Sequence, residues 1–390
     1  MAEKDRIKIA FIDYSHIFAG AERILCNMLT HLDRDKYEPL IVFPFPLEHQ
    51  QQYNSIHCEK IWLNDSIKWW MGSDRWIRPL RGTDFIKRSV FGAQLAALVR
   101  KRNIDIVDVN LMRNDIMMWV WATAKFTGAK IMGHYRSHVL EWIAPPNAQR
   151  LFDLIVCVSK YSMERYLTKG RHTNIQVLYD AVNIDEMQSN LSREEAKSRL
   201  GLNPSDILIA SVGQLSEHKG HDNAIRAFAK VVRDHPNAKL MIAGGGGKEH
   251  IVDYYLDIIH KEGLEDKVIL TGKQVSDIQT VYRASDLTLT LTKVGEGFGL
   301  VPYESALMGT PFIAPEFGAV TEFVTDGKNG ILVDTNNVDA IAEKIHWALT
   351  HTAETQILIE NLRSLIRQEL TPQRLADNLD KTYQNLIRQE

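Results

Sequence analysis

The sequence predicts an α/β protein of two doubly wound, Rossmann-like domains facing a central cleft, and three observations carry that expectation. Short β-rich runs alternate with stretches of helical apolar spacing along the chain, the pattern of parallel sheets covered on both faces by helices. The alternation occurs twice, once on each side of a polar, strand-free stretch at 181–204. With 390 residues, 45% apolar and 24% charged, the chain is globular in composition and longer than one ordinary core takes. Open sheets of this kind bind ligands beyond the carboxyl ends of their strands, so two of them face to face make a cleft where two substrates meet.

In the first half the β-rich runs are 7–12, 40–43, 60–63, 104–109, 130–132, 154–158 and 175–178, and the intervening helical patterns are 20–32, 85–102, 115–126 and 160–169. In the second half the strands are 207–212, 239–243, 268–271, 287–291, 311–314 and 331–333, with helices at 221–233, 249–262, 276–284 and 338–349. The expected domains are 1–183 and 184–371, followed by a terminal amphipathic stretch at 372–387.

Bulk properties exclude several classes. Cys26, Cys58 and Cys157 cannot make a disulfide framework and read as thiols in a reducing compartment. Met1-Ala2-Glu3-Lys4-Asp5-Arg6 runs straight into a strand without a signal-peptide pattern, and no apolar run has the length of a membrane span. The net charge of −3 hides an asymmetry: 25 basic against 19 acidic residues up to Asp180, and 21 against 30 beyond it. A mildly basic first domain suits an anionic acceptor or membrane surface, and nothing in the pattern points to nucleic acid.

The most informative motif is Gly295-Glu296-Gly297-Phe298-Gly299-Leu300-Val301-Pro302-Tyr303-Glu304, directly after the strand at 287–291. It sets two carboxylates eight positions apart across a glycine-rich turn that opens a helix, with Pro302 suited to the first helical turn. The free N–H groups of such a turn are anion donors, and carboxylates beside them can accept from hydroxyls.

This pattern resembles the paired-glutamate motif of retaining glycosyltransferases of family 4 (glycosyl transferases group 1), which have the GT-B fold, and the resemblance covers most of the chain. It implies that Glu296 touches hydroxyls of a donor sugar and Glu304 the ribose of its nucleotide, with the amides of Gly297, Phe298, Gly299 and Leu300 around the diphosphate. It also implies a first domain that binds the acceptor, a second that binds the nucleotide sugar, and a terminal helix within 372–390 that packs back on the first domain.

Other segments fit the same frame. Ser211-Val212-Gly213-Gln214-Leu215-Ser216-Glu217-His218-Lys219-Gly220 follows the first strand of the second domain, where Lys219 is placed to reach phosphate. The family usually has an arginine at the position of Gln214, and an amide donates a hydrogen bond without bringing charge. The run Gly244-Gly245-Gly246-Gly247 ends the next strand and suits close approach to backbone, and the resemblance puts the backbone around Val275 against the nucleobase. In the first domain, Gly20 opens a helix as the family's small-residue loop at the donor phosphates does. His134, in Gly133-His134-Tyr135-Arg136-Ser137-His138 after the strand at 130–132, matches the family's histidine near the donor sugar, with Arg136 and His138 as weaker acceptor contacts. Glu316-Phe317-Gly318 and Glu322 resemble further donor-side positions.

The aromatic–basic stretch holding Trp69, Trp70 and Trp76 reads three ways: an acceptor cleft, packing between domains, or peripheral membrane contact.

Together with these observations, the resemblance implies a retaining, metal-independent hexosyltransferase. It needs no cofactor and moves a sugar from a nucleotide diphosphate sugar, UDP by family bias, to a hydroxyl acceptor in cell-surface glycan or glycosylated-metabolite synthesis. The expected location is cytoplasmic, with the inner face of a membrane as the other site. Lys219, Glu296 and His134 are the expected catalytic groups, acting chiefly on the leaving diphosphate. Two alternatives stay open: a sugar-nucleotide-binding protein without transferase activity, raised by Gln214, and a GT-B epimerase or phosphorylase. No Gly-x-Gly-x-x-Gly fingerprint opens either domain, which argues against a dinucleotide oxidoreductase.

Overall fold

The structure is a computed structural model that describes residues 6–15, 18, 20–44, 50–63, 82–112, 117–136, 150–169, 174–247, 250–273 and 275–388. The chain divides into two compact units, Met1–Ala181 together with Pro372–Glu390, and Val182–Thr371.

In the first unit, β1 (Ile7–Ile12), β2 (Tyr37–Phe43), β3 (Glu59–Trp62), β4 (Ile106–Val109), β5 (Lys130–Tyr135), β6 (Leu154–Cys157) and β7 (Ile175–Val177) form one sheet in the order β3-β2-β1-β4-β5-β6-β7. Every pairing is parallel. Strands covered on both faces are largely apolar, and β6, Leu-Ile-Val-Cys, is buried at each residue. Helices α1 (Gly20–His31), α2 (Gly82–Arg102), α3 (Met117–Phe126) and α4 (Lys160–Lys169) make the crossovers.

The second unit repeats the scheme. Strands β8 (Ile207–Val212), β9 (Ala238–Ala243), β10 (Val268–Leu270), β11 (Leu287–Leu289), β12 (Phe312–Pro315) and β13 (Ile331–Val333) are parallel in the order β10-β9-β8-β11-β12-β13. The polar, strand-free stretch at 181–204 contains α5 (Arg193–Arg199), held by a capping box: Glu195 N–H donates to Ser192 Oγ at 3.1 Å, and Ser192 N–H to the Glu195 carboxylate at 2.7 Å. Around the sheet follow α6 (His221–Val231), α7 (Ile251–Lys261), α8 (Ile278–Ala284), α9 (Val301–Leu307), α10 (Val338–Thr350) and α11 (Thr352–Glu369). Side chains of Asp277 and Asn337 cap α8 and α10. Ile209, Leu240, Leu287 and Ile313 from the sheet meet Phe228, Tyr255 and Ile345 from the helices in one core.

The last helix, α12 (Pro372–Arg388), belongs to the first unit. Its apolar stripe of Leu375, Leu379, Tyr383 and Leu386 is buried. Polar contacts fix its register: Tyr37 Oη donates to Asp380 Oδ1 at 2.6 Å, Lys36 pairs with Asp380 at 3.1 Å, and Tyr383 Oη donates to Asp108 Oδ2 at 2.6 Å.

Candidate active site

In each sheet the strand order reverses once, between β1 and β4 and between β8 and β11, and such a switch point is where an open α/β sheet leaves room for a ligand. In the second unit Lys219 and Glu296 meet there, one from the loop after β8 and one from the loop after β11. Lys219 ends a turn of 3-10 helix, Glu217–Lys219, and its Nζ forms a short hydrogen-bonded ion pair with Glu296 Oε1. The two side chains are 24% and 17% exposed, sheltered enough to strengthen the pair and open enough for a ligand to compete for it.

The two loops are joined along their backbones. Thr292 Oγ1 and Lys293 N–H both donate to His218 O, at 3.1 and 2.7 Å. Gly220 adopts φ +72°, and a Cβ there would lie 1.9 Å from Leu291 O. Beneath them, His221 is buried between Ser211 Oγ at 2.7 Å and Gln214 O at 3.2 Å, and burial pushes its imidazole down to about 4, so it is neutral at ordinary pH. The neighbouring His218 is also held below its usual value, by burial and by the Lys219 charge, with Glu296 pulling the other way. Asp222, at the start of α6, accepts from Lys293 Nζ at 2.6 Å and Arg226 at 3.0 Å. Burial alone would raise its carboxyl, and these two cations outweigh it.

Glu296 borders a depression whose other walls are Thr290, Thr292, Phe298, Pro315 and Phe317. Gly299 adopts φ +80°, a conformation that strains any residue with a Cβ, and it lies beside Glu296 Oε2. Phe298 is buried and stacked on Tyr303, with ring centroids 5.2 Å apart, which anchors the turn formed by Gly297, Phe298 and Gly299. Leu300 precedes the first turn of α9, which Pro302 accommodates. Glu304 lies elsewhere than at the surface: it is 4% exposed and accepts from Tyr282 Oη at 2.8 Å. The paired carboxylates therefore differ, one at the depression and one inside the unit.

The glycine run after β9 has an intramolecular reason. A Cβ on Gly244 would fall 1.8 Å from Gly213 O, and one on Gly247 would fall 2.0 Å from Leu215 O, so the loop after β8 lies directly on this run. Gly245 O accepts from Leu215 N–H at 3.1 Å. Gln214 is exposed, with its amide over Gly246. Val275 packs against the apolar cluster of Leu208, Ala210, Met241 and Ala243.

In the first unit, Gly20 is the exposed first residue of α1. The strand expected at 130–132 is longer: β5 extends to Tyr135, so His134, expected just past its end, lies within it. Pairing with β6 carries the strand on, His134 opposite Val156, and Gly133 is required because a Cβ there would be 2.5 Å from the Phe152 ring. His134 is 1% exposed, with Nε2 2.9 Å from Asp108 Oδ1. Arg136 is buried too, ion-paired with Asp180 and donating from Nε to Asn110 O at 3.0 Å. His138, Trp69, Trp70 and Trp76 lie outside the described residues.

Sequence reasoning missed the partners: Asp108, Asp180, Tyr282 and the Asp222–Lys293 pair, none of which has a local pattern. It also missed Asp13, buried at the end of β1 and accepting from Tyr53 Oη at 2.6 Å. One signal was available: the alternation in Leu287-Thr288-Leu289-Thr290-Leu291-Thr292 puts three hydroxyls inside the unit, where polar groups are unusual. Among the described residues no group of three or more metal-ligating side chains occurs, and no helix is long and apolar enough to cross a membrane.

Comparison with known proteins places this geometry. Residues 192–365 match the family Glycosyl transferases group 1. An uncharacterized glycosyltransferase of Methanocaldococcus jannaschii is 29% identical over 213 residues, 54% of this chain and 53% of that protein. A D-inositol 3-phosphate glycosyltransferase of Mycobacterium sp. (strain KMS) is 31% identical over 186 residues, 47% of this chain and 41% of that protein. The chain thus spans about half the length of these curated relatives. Two solved structures share the fold over nearly the whole chain. Anabaena HepE, solved in complex with UDP and glucose, superposes with a TM-score of 0.79 at 20% identity, over 97% of this chain and 100% of that one. Sucrose-phosphate synthase from Thermosynechococcus elongatus gives 0.79 at 18%, over 99% and 100%. The fold is GT-B, and residues 192–365 of the second unit resemble glycosyl transferases group 1.

Proposed function

We propose that the chain is a retaining glycosyltransferase that moves a sugar from a nucleotide diphosphate sugar, UDP-linked by preference, to a hydroxyl acceptor without a metal ion. The observation that carries this proposal is the Lys219–Glu296 ion pair at the switch point of the second sheet. A diphosphate arriving beside Lys219 takes over the ammonium, and the released Glu296 carboxylate is then free to accept from sugar hydroxyls in the adjoining depression. The charge that develops on the leaving diphosphate is stabilised by Lys219 and by the amides at Gly297–Leu300, with Gln214 adding a neutral donor. The leaving phosphate oxygen accepts the acceptor's proton, which is why the site needs no separate carboxylate base. The first unit takes the acceptor.

Support for a UDP-sugar comes from HepE, solved with UDP and glucose. The buried positions of His134 and Arg136 make them positioning groups of the first unit in this proposal. The test is a screen of UDP-, GDP- and ADP-sugars with excess EDTA, reading thermal stabilisation, hydrolysis, and the anomeric configuration of the product. One stabilising and slowly hydrolysed donor, with retained configuration, is expected. Binding of a donor with neither hydrolysis nor transfer to any acceptor would favour a binding protein, and no binding by a folded protein would remove the proposal.

A further inference from the structure

Away from the switch point, two imidazoles of the second unit face one another. His235 follows α6 and is held by its own backbone, its N–H bonded to Val231 O at 3.1 Å and its carbonyl accepting from Ala238 N–H at 2.9 Å. His346 sits in the middle of α10, one residue after the fully buried Ile345. Nε2 of His235 and Nδ1 of His346 are 3.2 Å apart, with ring centroids at 5.2 Å, and His346 is exposed to solvent. The helices that present them share one core, in which Phe228 and Val231 of α6 meet Ile341 and Ile345 of α10. The Lys230–Asp339 ion pair at 2.6 Å spans the same two helices. The backbones that carry the two rings are therefore held by packed elements.

We propose that His235 and His346 form a surface site for a borderline transition-metal dication such as Zn2+ or Cu2+, clamping the end of α6 to α10. Imidazole nitrogens bind such ions at about 2.0–2.1 Å. Two donors 3.2 Å apart would then subtend roughly 100° at the metal, between the right angle of square-planar copper and the tetrahedral angle of zinc. Without metal the N–H of one ring faces the lone pair of the other; on metal binding the donor ring moves its proton to its other nitrogen, so both rings ligate as neutral imidazoles. Among the described residues no third side chain completes a cluster, so water fills the remaining positions and the ion exchanges freely. This site is separate from the Lys219–Glu296 site and supplies nothing to the transfer reaction.

The experiment titrates the tag-free full chain with zinc sulfate and, separately, copper sulfate by calorimetry, alongside thermal melts with and without metal and after EDTA. Expected are one saturable site, a melting temperature that rises with metal and returns with EDTA, and a loss of affinity of at least tenfold in both His235→Gln and His346→Gln. Metal-free melts of the two variants report on the inter-ring hydrogen bond alone, so a purely structural role would change those melts and leave the metal response in place. Saturable binding of equal affinity in the wild type and both variants would overturn the proposal, as would the absence of saturable binding in the wild type.

Discussion

Lys219 and Glu296, 77 residues apart in sequence, are ion-paired across the switch point of the second sheet, so the one cation that the loop after β8 brings to Glu296 is already neutralised before any ligand arrives. A ligand that binds here must offer an anion for the lysine and hydroxyls for the carboxylate. A phosphorylated sugar offers both.

Replacing Lys219 with alanine should lower transferase turnover by about 10²–10³-fold, the scale of losing one preorganised charge at a developing oxyanion. The side chain is partly exposed and ends a short turn, so the melting temperature should move by only a few degrees. Steady-state kinetics beside a thermal melt separate the two effects, and a folded, fully active variant would remove Lys219 from the mechanism.

Glu296→Gln frees Lys219 while keeping the shape of the side chain. Affinity for UDP alone should hold or rise because the ammonium loses its internal competitor, whereas turnover of the UDP-sugar falls because the carboxylate acceptor is gone. Titration with UDP next to single-turnover kinetics tests this. Weaker UDP binding in the variant would show that the ion pair positions the lysine rather than competing with its ligand.

Glu304 should behave as a core residue. Glu304→Ala leaves the buried Tyr282 hydroxyl without its carboxylate acceptor and should cost about 1–3 kcal/mol of unfolding free energy. A double-mutant cycle with Tyr282→Phe, read by urea denaturation, should show coupling of about 0.5–3 kcal/mol. Additive effects would mean that the pair does not act as a unit.

Stability should depend on pH through His221. Its folded-state value, about 4, lies below the ordinary 6.5, so the folded protein disfavours the charged form. The contribution is fully present above pH 6.5 and is lost as pH falls from 6.5 toward 4, on the order of 3 kcal/mol over the window. Urea melts at pH 7.5, 6.0 and 5.0 should show the decline, and His221→Gln should flatten it by close to one proton. An unchanged pH slope in that variant would assign the titration to another group.

The last helix should unzip when its buried anchor is removed. Tyr383→Phe takes the donor from Asp108 Oδ2 in a fully buried setting and should destabilise the first unit by about 1–3 kcal/mol. Hydrogen exchange along 372–388 should rise more than along β8–β13. Uniform exchange across both units would show that α12 docks through its apolar stripe alone.

Much of this architecture is legible in the chain because it rests on local periodicity. Parallel strands buried on both faces are mostly apolar runs, and β1 and β8 start and stop where those runs do. Helix 352–369 was not among the expected elements, although Leu358, Ile359, Leu362 and Ile366 stand at helical spacing, because strict alternation of strand and helix left no place for it. Of the site, Lys219 and Glu296 were readable because each follows a strand on a short loop, and the carboxyl ends of neighbouring strands bring such loops together.

What only the tertiary structure decided is which polar group meets which. His134 looks like a loop residue next to Ser137 and His138, yet pairing with β6 draws it into β5 and against Asp108, 26 positions away. Asp108 meets Tyr383 across 275 positions because α12 returns to the first unit. The glycines after β9 read as a ligand loop, and at Gly244 and Gly247 the backbone of the loop after β8 stands where a Cβ would be. The sequence by itself determined the period of each element and the loops that carry charge. Register and strand order determined which of those charges are buried, because a hydrogen bond spans about 3 Å and its partner is chosen by the fold rather than by the neighbours in sequence.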